Sequence, residues 1–154
     1  INMKNIFRQI DFQSLVHRIN ELNSNCKRKW GKMNAEQMLA HCSDQIRLAL
    51  AEKQPHETPN FFNRNVMKYF GLWLPRIPLR NLKAPVDMNR QLFGTVSSDI
   101  ITEKKNLLDL ISQFRASSAD FTFQSHPMYG KLNRRQWGRF IYVHLDHHLR
   151  QFGV

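Results

Sequence analysis

The chain has 154 residues, of which 42% are hydrophobic and 23% charged, and its formal net charge is +11. That length favours one domain over residues 1–154 with a core able to form without disulfides, and the composition excludes a mainly disordered chain. Two cysteines, Cys26 and Cys42, exclude a disulfide framework or a cysteine-rich zinc site.

The opening stretch, INMKNIFRQIDF, has no long apolar run after a basic region, so no signal peptide is expected. No later run approaches the length of a membrane span, so no membrane partner is expected. With so few cysteines, a cytoplasmic setting follows as the expectation. The first helix is predicted from about Phe12 to Asn23, where Phe12, Leu15, Val16, Ile19 and Leu22 share a face. A basic loop follows, ending at Trp30-Gly31-Lys32-Met33. The second helix starts at Asn34, whose side chain can accept a free first-turn N–H while Gln37 reaches back. Its main stripe is Ala35, Leu39, Cys42, Ile46 and Ala49, with Met38, His41 and Leu48 in a neighbouring row.

Residues 52–96 hold all but one of the six prolines. Within them Phe61 to Leu74 reads as a short aromatic helix, with Phe62, Val66, Tyr69, Phe70 and Trp73 at helical spacing and Pro75 as its stop. That segment either lines a substrate pocket, packs as an extra helix, or offers a homodimer contact. A small β element around Gln91 to Val96 is the alternative reading of the linker's end. The third long helix is predicted from Ser98 to Phe114, burying Ile100, Leu107, Ile111 and Phe114. A polar loop then leads to His126-Pro127-Met128-Tyr129-Gly130. The fourth helix starts at Asn133, again with Gln three residues on, and Gly153 stops it after Phe152.

Four such helices predict an all-α fold, a four-helix bundle. The short first link favours antiparallel neighbours. The long crossover between the second and third helices allows a parallel pair, hence up-down-down-up.

The chemistry concentrates in Val143-His144-Leu145-Asp146-His147-His148-Leu149. His144 and His148 are four residues apart, which on a helix sets both imidazoles on one face about 5–6 Å apart at Cβ. They continue the stripe Trp137 and Ile141, which should point into the bundle. Two buried imidazoles without partners are costly, and a divalent ion taking one nitrogen from each removes that cost. His41, beside the apolar stripe of the second helix, is the candidate third ligand. His147 reads as a rim or outer-layer residue, and Asp146 as a surface residue. Cys42 turns about 100° away from His41 and reads as core. His126 and Tyr129 are weaker candidates for a pocket mouth; the competing reading is a turn, with His126-Pro127 as extended entry and Gly130 as tight exit. All-nitrogen ligation suits Zn, Ni, Fe or Cu, with Zn and Ni expected first and Fe behind them.

Three segments carry a resemblance: Trp30-Gly31-Lys32-Met33-Asn34 through Gln37-Met38-Leu39-Ala40-His41, then His126-Pro127-Met128-Tyr129-Gly130-Lys131-Leu132, then His144 to Val154. They resemble the DinB/YfiT-like metalloenzymes, nearest to a branch of unknown function. The resemblance implies an up-down-down-up bundle and a divalent metal on His41, His144 and His148. It also implies small-molecule chemistry of the thiol S-transferase or thiol-dependent isomerase kind, with a low-molecular-weight thiol as partner.

Three functions are therefore weighed. The first is a metal-dependent enzyme, a hydrolase or thiol-dependent transferase or isomerase, acting on a small molecule. The second is a non-catalytic metal or ligand binder. The third is a nucleic-acid-binding bundle, suggested by the basic clusters at Lys27-Arg28-Lys29, Arg76 to Lys83 and Lys131 to Arg139. No DNA- or RNA-binding motif accompanies that charge, so nucleic acid ranks last. The charge also suits drawing an anionic substrate to the pocket.

Overall fold

The structure is a computed structural model, and it describes residues 3–54 and 96–154. Within those residues there are four helices and no strand: α1 Gln9–Glu21, α2 Ala35–Ala49, α3 Ile100–Ala116 and α4 Arg134–Gln151. The short helix expected at Phe61 to Leu74 and the β element weighed at Gln91 to Val96 lie outside the described residues, apart from exposed Val96.

Side-chain caps set the starts of three helices. Asn34 Oδ1 accepts from Gln37 N at 2.7 Å while Gln37 Oε1 accepts from Asn34 N at 3.0 Å. Asn133 and Gln136 repeat this reciprocal pair at 2.9 and 3.0 Å. Each pair satisfies donors that the helix itself leaves open. α3 starts two residues later than the hydrophobic spacing suggests, because Asp99 is the cap. Its Oδ1 accepts from Ile101 N and Thr102 N, both at 3.0 Å. α1 starts at Gln9, earlier than the apolar pattern implies, and has no side-chain cap. α4 ends in a Schellman motif, with Gly153 N donating to Arg150 O and Val154 N to Leu149 O, which places Gly153 at φ +85°.

Contacts between helix ends give the topology. Lys104, near the start of α3, donates to Asn20 O and Leu22 O at the end of α1, while Arg115 at the end of α3 donates to Gln9. α1 and α3 are thus antiparallel. Gln113, near the end of α3, donates to Glu52 just beyond the end of α2, so α2 and α3 run parallel. Arg18 meets Asp146 and Val154 at the end of α4, and Ile6 N donates to Gly138 O near its start, so α1 and α4 run parallel. The order is up-down-down-up.

Leu15 and Ile19 of α1, Leu39 and Ile46 of α2, Leu107, Ile111 and Phe114 of α3, and Trp137 and Ile141 of α4 fill the core. α2 is buried on nearly every side, including Ser43, Asp44 and Gln45. Those three polar side chains therefore face protein rather than water. Gly138 lets the chain's opening residues lie against α4, since a Cβ there would strike Asn5 and the Phe7 ring.

Candidate metal centre

α2 and α4 run antiparallel, and their facing rows bring His41 against His144 and His148. The His41 and His144 Nε2 atoms stand 3.1 Å apart. One ring nitrogen from each of the three histidines lies within 4.8 Å of the others. His41 and His148 are buried, and His144 is half-buried. The site therefore sits at the edge of the core. The Phe140 ring stacks on His144 at a centroid distance of 5.5 Å and an interplanar angle of 26°.

Electrostatics keep the two α4 rings available as ligands. Burial pushes His144 well below the usual histidine range, helped by neighbouring His148 and His41. Burial does the same to His148, with His41 as the first neighbour, against a smaller opposing effect of Gln151. Both imidazoles are thus neutral at physiological pH, and each keeps one nitrogen lone pair. At 3.1 Å the two facing Nε2 atoms either share a proton or share an ion. Two nitrogens bound at about 2.0–2.1 Å to one tetrahedral ion stand roughly 3.3 Å apart. The residues present therefore fit a divalent metal, and the cluster can hold one.

His147 lies beside this cluster. Its ring packs against His148 at 5.1 Å and against Trp30 at 5.9 Å. His126 and Tyr129 occupy a different place. Both are buried, and they belong to a turn closed by His126 N donating to Gly130 O at 2.9 Å and Gly130 N to His126 O at 2.8 Å. Gly130 has φ +66°, a conformation that favours glycine. The His126 Nδ1 accepts from Met128 N and Tyr129 N at 3.1 and 3.2 Å. Its ring packs on Tyr129 and on Phe140, with centroids at 4.6 and 4.5 Å. Phe140 thus touches both His126 and His144. Burial pushes His126 down to about 3 and raises the Tyr129 hydroxyl.

Other side chains near the motif find roles that spacing did not announce. Asp146, read as a surface residue, pairs with Arg18 of α1 at 2.7 Å and with Arg150 at 2.8 Å. Gln151 is not among the site residues expected from the sequence, yet its Oε1 lies 2.9 Å from His148 Nδ1. A Gln three residues after a His on one helix is the local signal that was available. Cys42 is buried beside Met38, with Sγ 3.7 Å from the Met38 sulfur. No helix among the described residues is long and apolar enough to cross a membrane.

No curated protein and no solved structure matches the chain. One family model does, and it corrects the likeness drawn to the DinB/YfiT-like metalloenzymes. The physical reason is that the motifs behind that likeness are short. HxxxH spacing and Asn-x-x-Gln caps follow from helix geometry itself and recur wherever a helix needs a polar pair or a capped start. The thiol chemistry implied by that likeness loses its basis with it. The matching model covers residues 4–153 and is described as "Protein of unknown function (DUF1569)", and the chain belongs to that family.

Proposed function

We propose that this protein binds one divalent metal ion through His41, His144 and His148 and uses it in hydrolytic chemistry on a small molecule. The carrying observation is the convergence of three imidazole nitrogens within 4.8 Å at the edge of the core. A divalent ion on three neutral ligands keeps its full charge, and such an ion acts as a Lewis acid toward a carbonyl, phosphoryl group or water. The chain's own residues supply the rest. α2 and α4 hold the ligand rings at fixed separation, and Phe140 backs His144. The net charge of +11 favours anionic substrates by raising their local concentration. Zinc and nickel are the first ions to try, with iron third.

The test is elemental analysis of wild type and His144→Ala, followed by thermal melts with and without zinc. Wild type should carry about one equivalent, and free zinc at about a hundred times Kd should add roughly 2.7 kcal/mol of stability. Neither effect should appear in His144→Ala. A panel of small anionic esters then checks turnover, which should vanish on chelation and return with metal. A wild type that stays metal-free when zinc or nickel is supplied would sink the proposal.

A further inference from the structure

Gln151 is held from both ends, and what holds it bears on the metal site. Its Oε1 faces His148 Nδ1 at 2.9 Å, and its Nε2 donates to the Trp30 carbonyl oxygen at 2.7 Å. A carbonyl oxygen can only accept, so the amide nitrogen has to face Trp30, and the amide oxygen then faces His148. An acceptor opposite Nδ1 makes Nδ1 the protonated ring nitrogen. The lone pair is thereby left on Nε2.

The surrounding backbone fits this clamp closely. Lys29 N donates to the Gln151 carbonyl at 2.7 Å, tying the same residue to the α1–α2 loop a second time. Gly31, at φ +80°, passes so near the carboxamide that a Cβ there would collide with Gln151 Nε2. The Trp30 ring extends the contact, packing edge-on against His147, which in turn packs on His148.

We propose that Gln151 is a positioning residue that sets the tautomer and orientation of His148, and that an amide is required there. The amide accepts from His148 through its oxygen and donates to Trp30 through its nitrogen at once. A carboxylate would set lone pairs against the Trp30 oxygen, and a thioether would serve neither partner. The role assigned to His148 rests on the metal reading above, whereas its tautomer is a property of the metal-free chain. Outer-layer partners of metal-bound histidines commonly govern affinity in this way.

Histidine side-chain nitrogen NMR on the metal-free wild type reads the tautomer without any variant. The expected result is His148 protonated at Nδ1, with that preference lost in Gln151→Met. Zinc competition titration of the same proteins should show Kd raised about 10–100-fold in Gln151→Met. Gln151→Asn, too short to span both partners, should behave alike and serves if the methionine variant fails to fold. Protonation of His148 at Nε2 in the wild type overturns the proposal. So does an unchanged zinc affinity in a folded variant. A wild type that binds no zinc but shows the Nδ1 tautomer sinks the metal reading instead, while upholding Gln151 as the group that orients His148.

Discussion

Two histidine-bearing regions lie against one Phe140 ring, and they differ in what they do with a lone pair. At the α2–α4 face, the Nε2 atoms of His41 and His144 point at each other across 3.1 Å. In the turn before α4, the His126 Nδ1 lone pair already takes two backbone N–H groups of its own loop. Burial drives His126, His144 and His148 alike toward the neutral form. Burial and neutrality therefore do not distinguish a ligand from a structural histidine. The direction and commitment of the lone pair do.

The largest effect that would break this contrast is on metal affinity. His144→Ala should lose zinc by more than the roughly 10–100-fold that removing an outer partner costs. His126→Asn, whose Oδ1 can replace Nδ1 as the turn's acceptor, should keep zinc affinity within about twofold, since His126 is outside the proposed ligand set. If the two variants lose zinc equally, the distinction drawn between the regions fails.

Acid stability gives the next largest effect. Unfolded, His126 takes up a proton near its ordinary value of 6.5; folded, it does so only at about 3. Between those values the unfolded chain holds more protons, so stability is complete above the upper one and falls as pH falls toward the lower. The slope is about 1.4 kcal/mol per pH unit, or about 3 kcal/mol over two units. Urea unfolding as a function of pH should show this slope reduced in His126→Asn. His144 and His148 contribute with the same sign in both proteins, so the difference isolates His126. Equal slopes would mean that His126 is not buried as described.

A smaller effect sharpens the contrast by testing the scaffold alone. Asn133→Ala removes the cap of α4 and should cost about 1 kcal/mol, about 2–4 °C in Tm for a chain of this size. Zinc stoichiometry should not move. A lost metal site in that variant would show that ligand geometry depends on the start of α4 as well as on its last turns. Arg18→Ala, which removes the pair with Asp146 and the hydrogen bond to the Val154 carbonyl, should cost about 1 kcal/mol in the same thermal melts and likewise leave zinc stoichiometry unmoved.

The family assignment carries a related lesson. The segments around His41, His126 and His144 suggested one superfamily, and the match over residues 4–153 is to another family description. Short motifs dictated by helix geometry report on local structure, and a match along the whole chain reports on descent.

Sequence alone determined the features that depend on neighbours within about one helical turn. The capping boxes at Asn34 and Asn133, the Gly153 stop, the buried stripes and the shared face of His144 and His148 are all of this kind. Each follows from backbone hydrogen bonds and a fixed period of about 3.6 residues. Tertiary structure decided what depends on the approach of distant segments. It brought His41 to His144 across 103 positions, set the Trp30 carbonyl against Gln151 across 121, and paired Asp146 with Arg18 across 128. It also placed His126 in the core, with its lone pair turned back on its own loop. Residue spacing carries the helical period, but which faces of two helices meet depends on how all the side chains between them pack.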